Sequence, residues 1–592
     1  MRSRPAAIVS TITLLGLAAC GGAAPSPTPP VAPASRAAVA VSAAAPQRSS
    51  GLGRLDFPVT GSAECQRHFT EGMLALHSFL YDQAHVSFGA ALAADPKCAM
   101  AAWGDAMAYD EAIWDNRDVA KGRAALAHVV GEEALTPKER AYLRIARADY
   151  EKDLTKDAHV AWLAAASAMH RDYPDDDEVT LQYALALLSN YIEDDGHVRE
   201  QMEAGSLALQ VLQRNPQHPG AAHYVIHAFD SPDHAILALP AARVYARIAP
   251  AGSHALHMPS HVFTQLGMWR DVVPSNEQAY AASVAWETSR GHTPSDYDWH
   301  AYSWLVAAHL ELGQRAAAKK LTEEAGARLV ASKDDSSDLR DNYLSMVTDY
   351  VSQSGRWEEL EAMMAPVLAP AFDEGSTPGE RSKAGHAVHV ACAMHAPGGK
   401  GASRLPTVLI DRVDADFFRA ETAIRLGDES TAIKRLADAK ARQMQMAPWK
   451  TVMGDRFVKA WDARGELLLV RAQSAASPSA DAQKTVVDAL DKYLKDHPDR
   501  GASGPAMEPT TRELLGDALL AGGRPKEALA KFESNLELRP NRALSLLGAA
   551  RAAKAAGDRQ KARAHYGELA ELWKDADRDL PELAEVKAGA KD

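Results

Sequence analysis

Small and apolar side chains recur along this chain at helical spacing, in paired segments joined by short turns. From Ser62 onward, Gly72, Leu76, Phe79, Tyr81, Ala84, Phe88 and Ala91 fall on the facing sides of two successive helices, and Asp95-Pro96 closes the second. A further helix starts at Cys98 and carries Met100, Trp103 and Met107. Turn signals follow at Gly267, Gly313, Gly355 and Gly427. Equivalent residues repeat 34 apart: Pro216 and Pro250, His223 and His257, His227 and His261, Gly523 and Gly557. That period predicts helix–turn–helix units stacked one on the next, because a lone helix pair cannot bury its own apolar faces.

Thirty-four residues is the period of the tetratricopeptide repeat (TPR), and the chain resembles a family of bacterial TPR lipoproteins. The resemblance rests on Gly72, Ser78-Phe79, Tyr81, Ala84, Phe88, Asp95-Pro96, Cys98-Ala99-Met100-Ala101 and Trp103-Gly104. It continues through Ala222-His223, His227-Ala228 and His257-Met258-Pro259-Ser260-His261, and covers roughly 62–315, the remainder matching only as generic repeats. It implies an all-α fold, a right-handed superhelix, and supplies no reaction. The pattern is strongest at 62–110, 210–270 and 510–572. Gly-, Ser- and Pro-rich loops at 373–383 and 396–404 divide a first solenoid, 51–395, from a C-terminal block, 405–592.

Composition narrows the class. Hydrophobic residues make up 46% of the 592 but aromatics only 6%, which suits helices packed closely through alanine. The net charge of −13 lacks the basic face a nucleic-acid binder needs. Arg2 and Arg4, then an apolar run from Ile8, lead to Leu17-Ala18-Ala19-Cys20, which resembles a lipoprotein cleavage box with Cys20 as the acylated residue. Residues 1–20 are therefore expected to be a signal peptide, and 21–50, rich in Ala, Pro and Ser, a disordered tether. The expected location is the bacterial cell envelope, lipid-anchored at the outer membrane. Cys65 and Cys98 occupy nearly equivalent positions in adjacent repeats, the placement of a disulfide or of two small apolar helix-start residues. Cys392, with His386, His389 and His395, reads as packing.

The residues that carry chemistry are histidines. His223/His227 and His257/His261 are spaced i, i+4, so each pair shares a helix face. The TPR resemblance implies that His223, His227, His254, His257, His261 and His300 face a concave groove, while His309 turns to the packing side. Imidazoles from neighbouring helices can converge on a divalent transition metal, with Zn, Cu and Ni all suited. Asp230, Asp296 and Asp298 are candidates to orient ligand rings, and Ser253 to cap the His257 helix, inside which Pro259 removes a hydrogen bond. Polar contacts between repeats, or binding of a peptide carboxylate, use the same residues differently. No HExxH, phosphate-binding loop or dinucleotide-binding glycine motif is present, and no catalytic or cofactor-binding residue is assigned. The first expectation is a membrane-anchored scaffold that binds a protein or peptide partner in its groove. The second is a metal-binding protein or metal-dependent enzyme.

Overall fold

A computed structural model describes residues 51–591, apart from 115, 154, 191–197, 333–336, 369–406, 447–454, 500, 502 and 507. The signal segment, Cys20, the tether, both loops at the expected block boundary, and Cys392 with its three histidines lie outside those residues. The protein is an all-α superhelix of tetratricopeptide type. Among the described residues the only strands are a two-residue antiparallel pair, Asp110–Glu111 with Asn116–Arg117.

The repeat is built on close helix approach. Phe88 lies between the helices that carry Gly72 and Gly104, where an added Cβ would come within 2.5 and 2.4 Å of its ring. Phe532 repeats the device between Gly516 and Gly548, with 2.7 and 2.3 Å. One large ring and two hydrogens in place of side chains set the spacing of three helices, which is why the sequence pattern pairs glycine with an aromatic. Gly267, Gly313, Gly355 and Gly427 adopt positive φ at the ends of their helices, as the turn signals predict. Cys65 and Cys98 are joined in a disulfide with Cα atoms 6.0 Å apart. No helix among the described residues is long and apolar enough to cross a membrane.

Residues 49–592 form one compact unit. Within it the last repeats dock on the middle ones, so that residues far apart in sequence close the core. Glu311 receives the Arg542 guanidinium at 2.6 Å and the Ala543 N–H at 2.7 Å, and its own carbonyl accepts the Trp573 indole N–H at 3.0 Å. The Trp269 indole N–H donates to the Asn541 carbonyl at 3.0 Å. Gly267 sits so close to Pro540 that a Cβ would lie 2.2 Å from its carbonyl oxygen.

Candidate metal centre

Three stretches of the superhelix deliver the six histidines to one place. The helix Pro219–Ala228 carries His223 and His227; its N-cap is His218, whose Nδ1 accepts the Ala221 N–H, and Pro219 is its first residue. The next stretch is not one helix. Ser253–His257 is followed, after Met258, by Pro259–Gln265, with proline at the first position of the new segment, where its missing N–H leaves no gap. Ser253 is the first helical residue rather than the cap, and Gly252 caps without a side-chain bond. The helix Trp299–Glu311 contributes His300.

The six sort into two triads, His223–His227–His254 and His257–His261–His300, with the ligand-type atoms of each triad within 4.8 Å of one another. The i, i+4 pairs thus stay together, and His254, three residues before His257, crosses to the other pair. The triads adjoin: the rings of His254 and His257 are 6.3 Å apart, and those of His227 and His261 are 6.5 Å apart.

Hydrogen bonds fix the tautomers. In the second triad, the Asn276 amide N–H donates to the Val272 carbonyl at 3.0 Å, so its Oδ1 is an acceptor, and it lies 2.6 Å from His257 Nδ1. His257 Nδ1 therefore carries a hydrogen. His261 Nδ1 donates likewise to Asp230 Oδ2 at 2.7 Å. Burial alone would raise the Asp230 carboxyl; the His261 charge and hydrogen bond outweigh it and hold the group at about 2, so it is an acceptor. With Nδ1 of each ring donating outward, the Nε2 atoms of His257 and His261 face each other at 3.0 Å. A shared proton or a metal ion can join the two rings at that point, and a third imidazole, His300, stands beside it. In the first triad, His223 Nδ1 donates to the His77 carbonyl at 2.7 Å, which leaves its Nε2 facing His227 at 2.9 Å and His254 at 3.1 Å.

Burial favours neutral rings at His223 and His227. Burial, reinforced by His227, holds His223 well below the ordinary histidine range; burial, reinforced by His261, brings His227 down to about 3. His223, His254, His257, His261 and His300 are 0–7% exposed, too little for a groove that lays a peptide across them. Aromatic rings supply the cover. Trp304 packs against His257, His261 and His300, with centroids 4.9, 4.5 and 5.4 Å away. Trp114 meets His254 at 5.8 Å, and Phe79 meets His223 at 4.3 Å, His227 at 5.6 Å and His254 at 5.9 Å. Phe79 holds φ at +52°, a region costly for a bulky residue, and that conformation directs its ring onto the first triad. From the C-terminal repeats, Ser503 Oγ donates to Asp230 and lies 3.2 Å from His261 Nδ1.

Of the acids expected to orient ligand rings, Asp230 does so for His261. Asp298 caps its own helix through the Ala301 N–H, and Asp296 closes a turn on Thr293. His309 is half-buried and 2.6 Å from Gln314, apart from the triads. Asn276, the His77 carbonyl, Phe79, Trp114 and Ser503 were not legible as site residues. They come from other repeats, and no spacing in the sequence marks them.

No family model matches the chain, and no curated protein matches it. Among solved structures, the human IFIT1 dimer with PPP-AAAA is similar at 12% identity over 87% of this chain and 91% of that one, with a TM-score of 0.32. Yeast Tom70 is similar at 11% identity, covering 84% and 96%, with a TM-score of 0.34. The P58(IPK) TPR domain is similar at 13% identity, covering 70% and 98%, with a TM-score of 0.20.

Proposed function

We propose that this protein is a helical-repeat metal-binding protein, with one transition-metal ion in each histidine triad. The observation that carries this reading is the convergence of the Nε2 atoms of His257 and His261, 3.0 Å apart, with His300 beside them. The outer hydrogen bonds from Nδ1 to Asn276 and Asp230 are those that orient metal-binding imidazoles and raise their basicity. Zn, Cu and Ni suit such ligands. The test is elemental analysis of tag-free protein. Metal should co-purify in both triads, and the double variant His257→Ala, His261→Ala should keep only the share held by the first. Unchanged metal content in that variant, or none in the parent, sinks the reading.

A second reading is a scaffold for a protein or peptide partner. It is favoured by the extended repeat surface and by two adjacent exposed apolar residues, Ile236 at 59% and Leu237 at 48%, on the helix Ala235–Ile248. Replacing both with serine should weaken capture of a partner while leaving metal content intact; undiminished capture would count against that face. The sequence features around Cys20 support lipid anchoring at the outer membrane. Cys20→Ser should abolish lipid labelling and release the chain from the membrane fraction.

A further inference from the structure

We infer that the two triads together are selective for a pair of cuprous ions rather than for divalent zinc or nickel. The inference rests on the metal-binding reading above and specifies its occupant. It follows from the charge, the number and the surroundings of the ligands.

Among the described residues neither triad includes a carboxylate or a thiolate. Each therefore contributes three neutral nitrogens, and the full charge of an ion remains on the ion. The hydrogen bonds from His223 to the His77 carbonyl and from His257 to Asn276 end on uncharged acceptors, so they add no countercharge. Asp230, on His261, supplies a negative charge at second hand to one triad. The desolvation cost of an ion rises with the square of its charge, so a divalent ion in such a buried setting costs about four times what a monovalent ion does. Two divalent ions with rings only 6.3 to 6.5 Å apart across the triads would also repel each other four times as strongly as two monovalent ones.

Ligand number points the same way. Zinc with three protein ligands completes a tetrahedron with water or substrate. Here Phe79 packs on His223, Trp114 on His254 and Trp304 on His261, and these rings offer no oxygen or nitrogen lone pair to an ion. A cuprous ion is satisfied by three nitrogens, and its filled d shell imposes no planar or octahedral geometry. Nickel(II), which prefers more ligands or a planar set, suits the cage least.

The test uses the full chain, tag-free, titrated without oxygen against a chromophoric Cu(I) chelator, with ZnCl2 and NiCl2 titrations alongside. The expected result is two Cu(I) per chain, retained in the presence of excess zinc. His227→Gln and His300→Gln, on separate triads, should each reduce the stoichiometry by one, with circular dichroism verifying the helical fold of each variant. Two Zn or two Ni ions per chain that displace Cu(I) would overturn the selectivity while leaving the metal site standing. Binding of no metal of any kind would overturn both. One Cu(I) per chain, unaffected by one of the two variants, would overturn the pair.

Discussion

At the scale of single residues, the site depends on groups that hold the imidazoles as much as on the imidazoles. Asn276 is buried, anchored by its own N–H to Val272, and orients His257 through the 2.6 Å bond to Nδ1. Asn276→Leu keeps the volume and removes the acceptor. It should weaken metal binding at the second triad by about 10- to 100-fold and leave the first unchanged, read by competition titration of each triad in isolation with the other disabled. An equal loss in both triads would instead indicate general disruption of the fold. The 34-residue repeat with i, i+4 spacing marks His223, His227, His257 and His261, and the TPR resemblance adds His254 and His300. It could not show how they divide. His254 and His257 are three apart on one short helix yet belong to different triads. Pro259 was expected inside a helix and instead begins one, which removes the conflict its missing N–H would have caused.

At the scale of helices, two contacts decide how neighbouring elements hold together. Gly267 has φ +65° and would place a Cβ 2.2 Å from the Pro540 carbonyl oxygen, whereas Gly557 has φ +77° with nothing within 4 Å. Gly557→Ala therefore carries only the left-handed strain, about 1–2 kcal/mol. Gly267→Ala carries that strain plus a clash with backbone, which cannot rotate away, so its unfolding midpoint should fall well below that of Gly557→Ala in thermal or urea denaturation. Similar midpoints would mean that the contact with Pro540 is loose in solution. The second contact joins the helix Thr407–Arg425 to Asp455–Ala476 through Glu421, which is 2.7 Å from Arg471 Nη2 and 2.8 Å from Arg425 Nε. Burial raises the Glu421 carboxyl, but the Arg471 charge and hydrogen bonds outweigh it and bring the group from 4.5 to about 2. A carboxyl depressed in the folded state stabilises it fully above its unfolded pKa and progressively less as pH falls through the folded value. The contribution, about 3 kcal/mol, should be present at pH 7 and disappear between roughly pH 4.5 and 2. Glu421→Gln should lower stability at neutral pH, and its difference from the parent should narrow across that window in denaturant titrations. A difference independent of pH would show that lost packing, and not the ion pair, is responsible. The helices themselves were readable from glycine–aromatic pairing and turn glycines; these long-range pairs were not, since Glu421 and Arg471 lie 50 residues apart with no motif linking them.

At the scale of the whole molecule, docking of the C-terminal repeats and filling of the second triad use the same pieces. The helix Trp299–Glu311 carries His300 near its start and Glu311 at its end, where the carboxylate holds Arg542 and the Ala543 N–H. Ser503, in the same C-terminal region, reaches Asp230, the acceptor for His261. On the metal-binding proposal, an ion that fixes His261 and His300 would favour the docked arrangement, and docking would favour the ion by the same free energy, because the coupling is reciprocal. Glu311 and Arg542 are each 0–1% exposed, so Glu311→Gln removes one of two buried carboxylates on the guanidinium, Glu513 remaining at 3.3 Å, and should cost less than the loss of about 3–5 kcal/mol for a fully unpaired buried charge. Three results should follow together. The variant should melt earlier than the parent without metal; amides between residues 540 and 573 should exchange faster with deuterium; and metal affinity at the second triad should fall while the first triad is spared. Saturating metal should then recover part of the lost protection by mass action, about 2.7 kcal/mol at a free concentration 100-fold over the dissociation constant. Exchange in 540–573 that ignores metal in both proteins would separate docking from the site, and with it the link between Glu311 and His300.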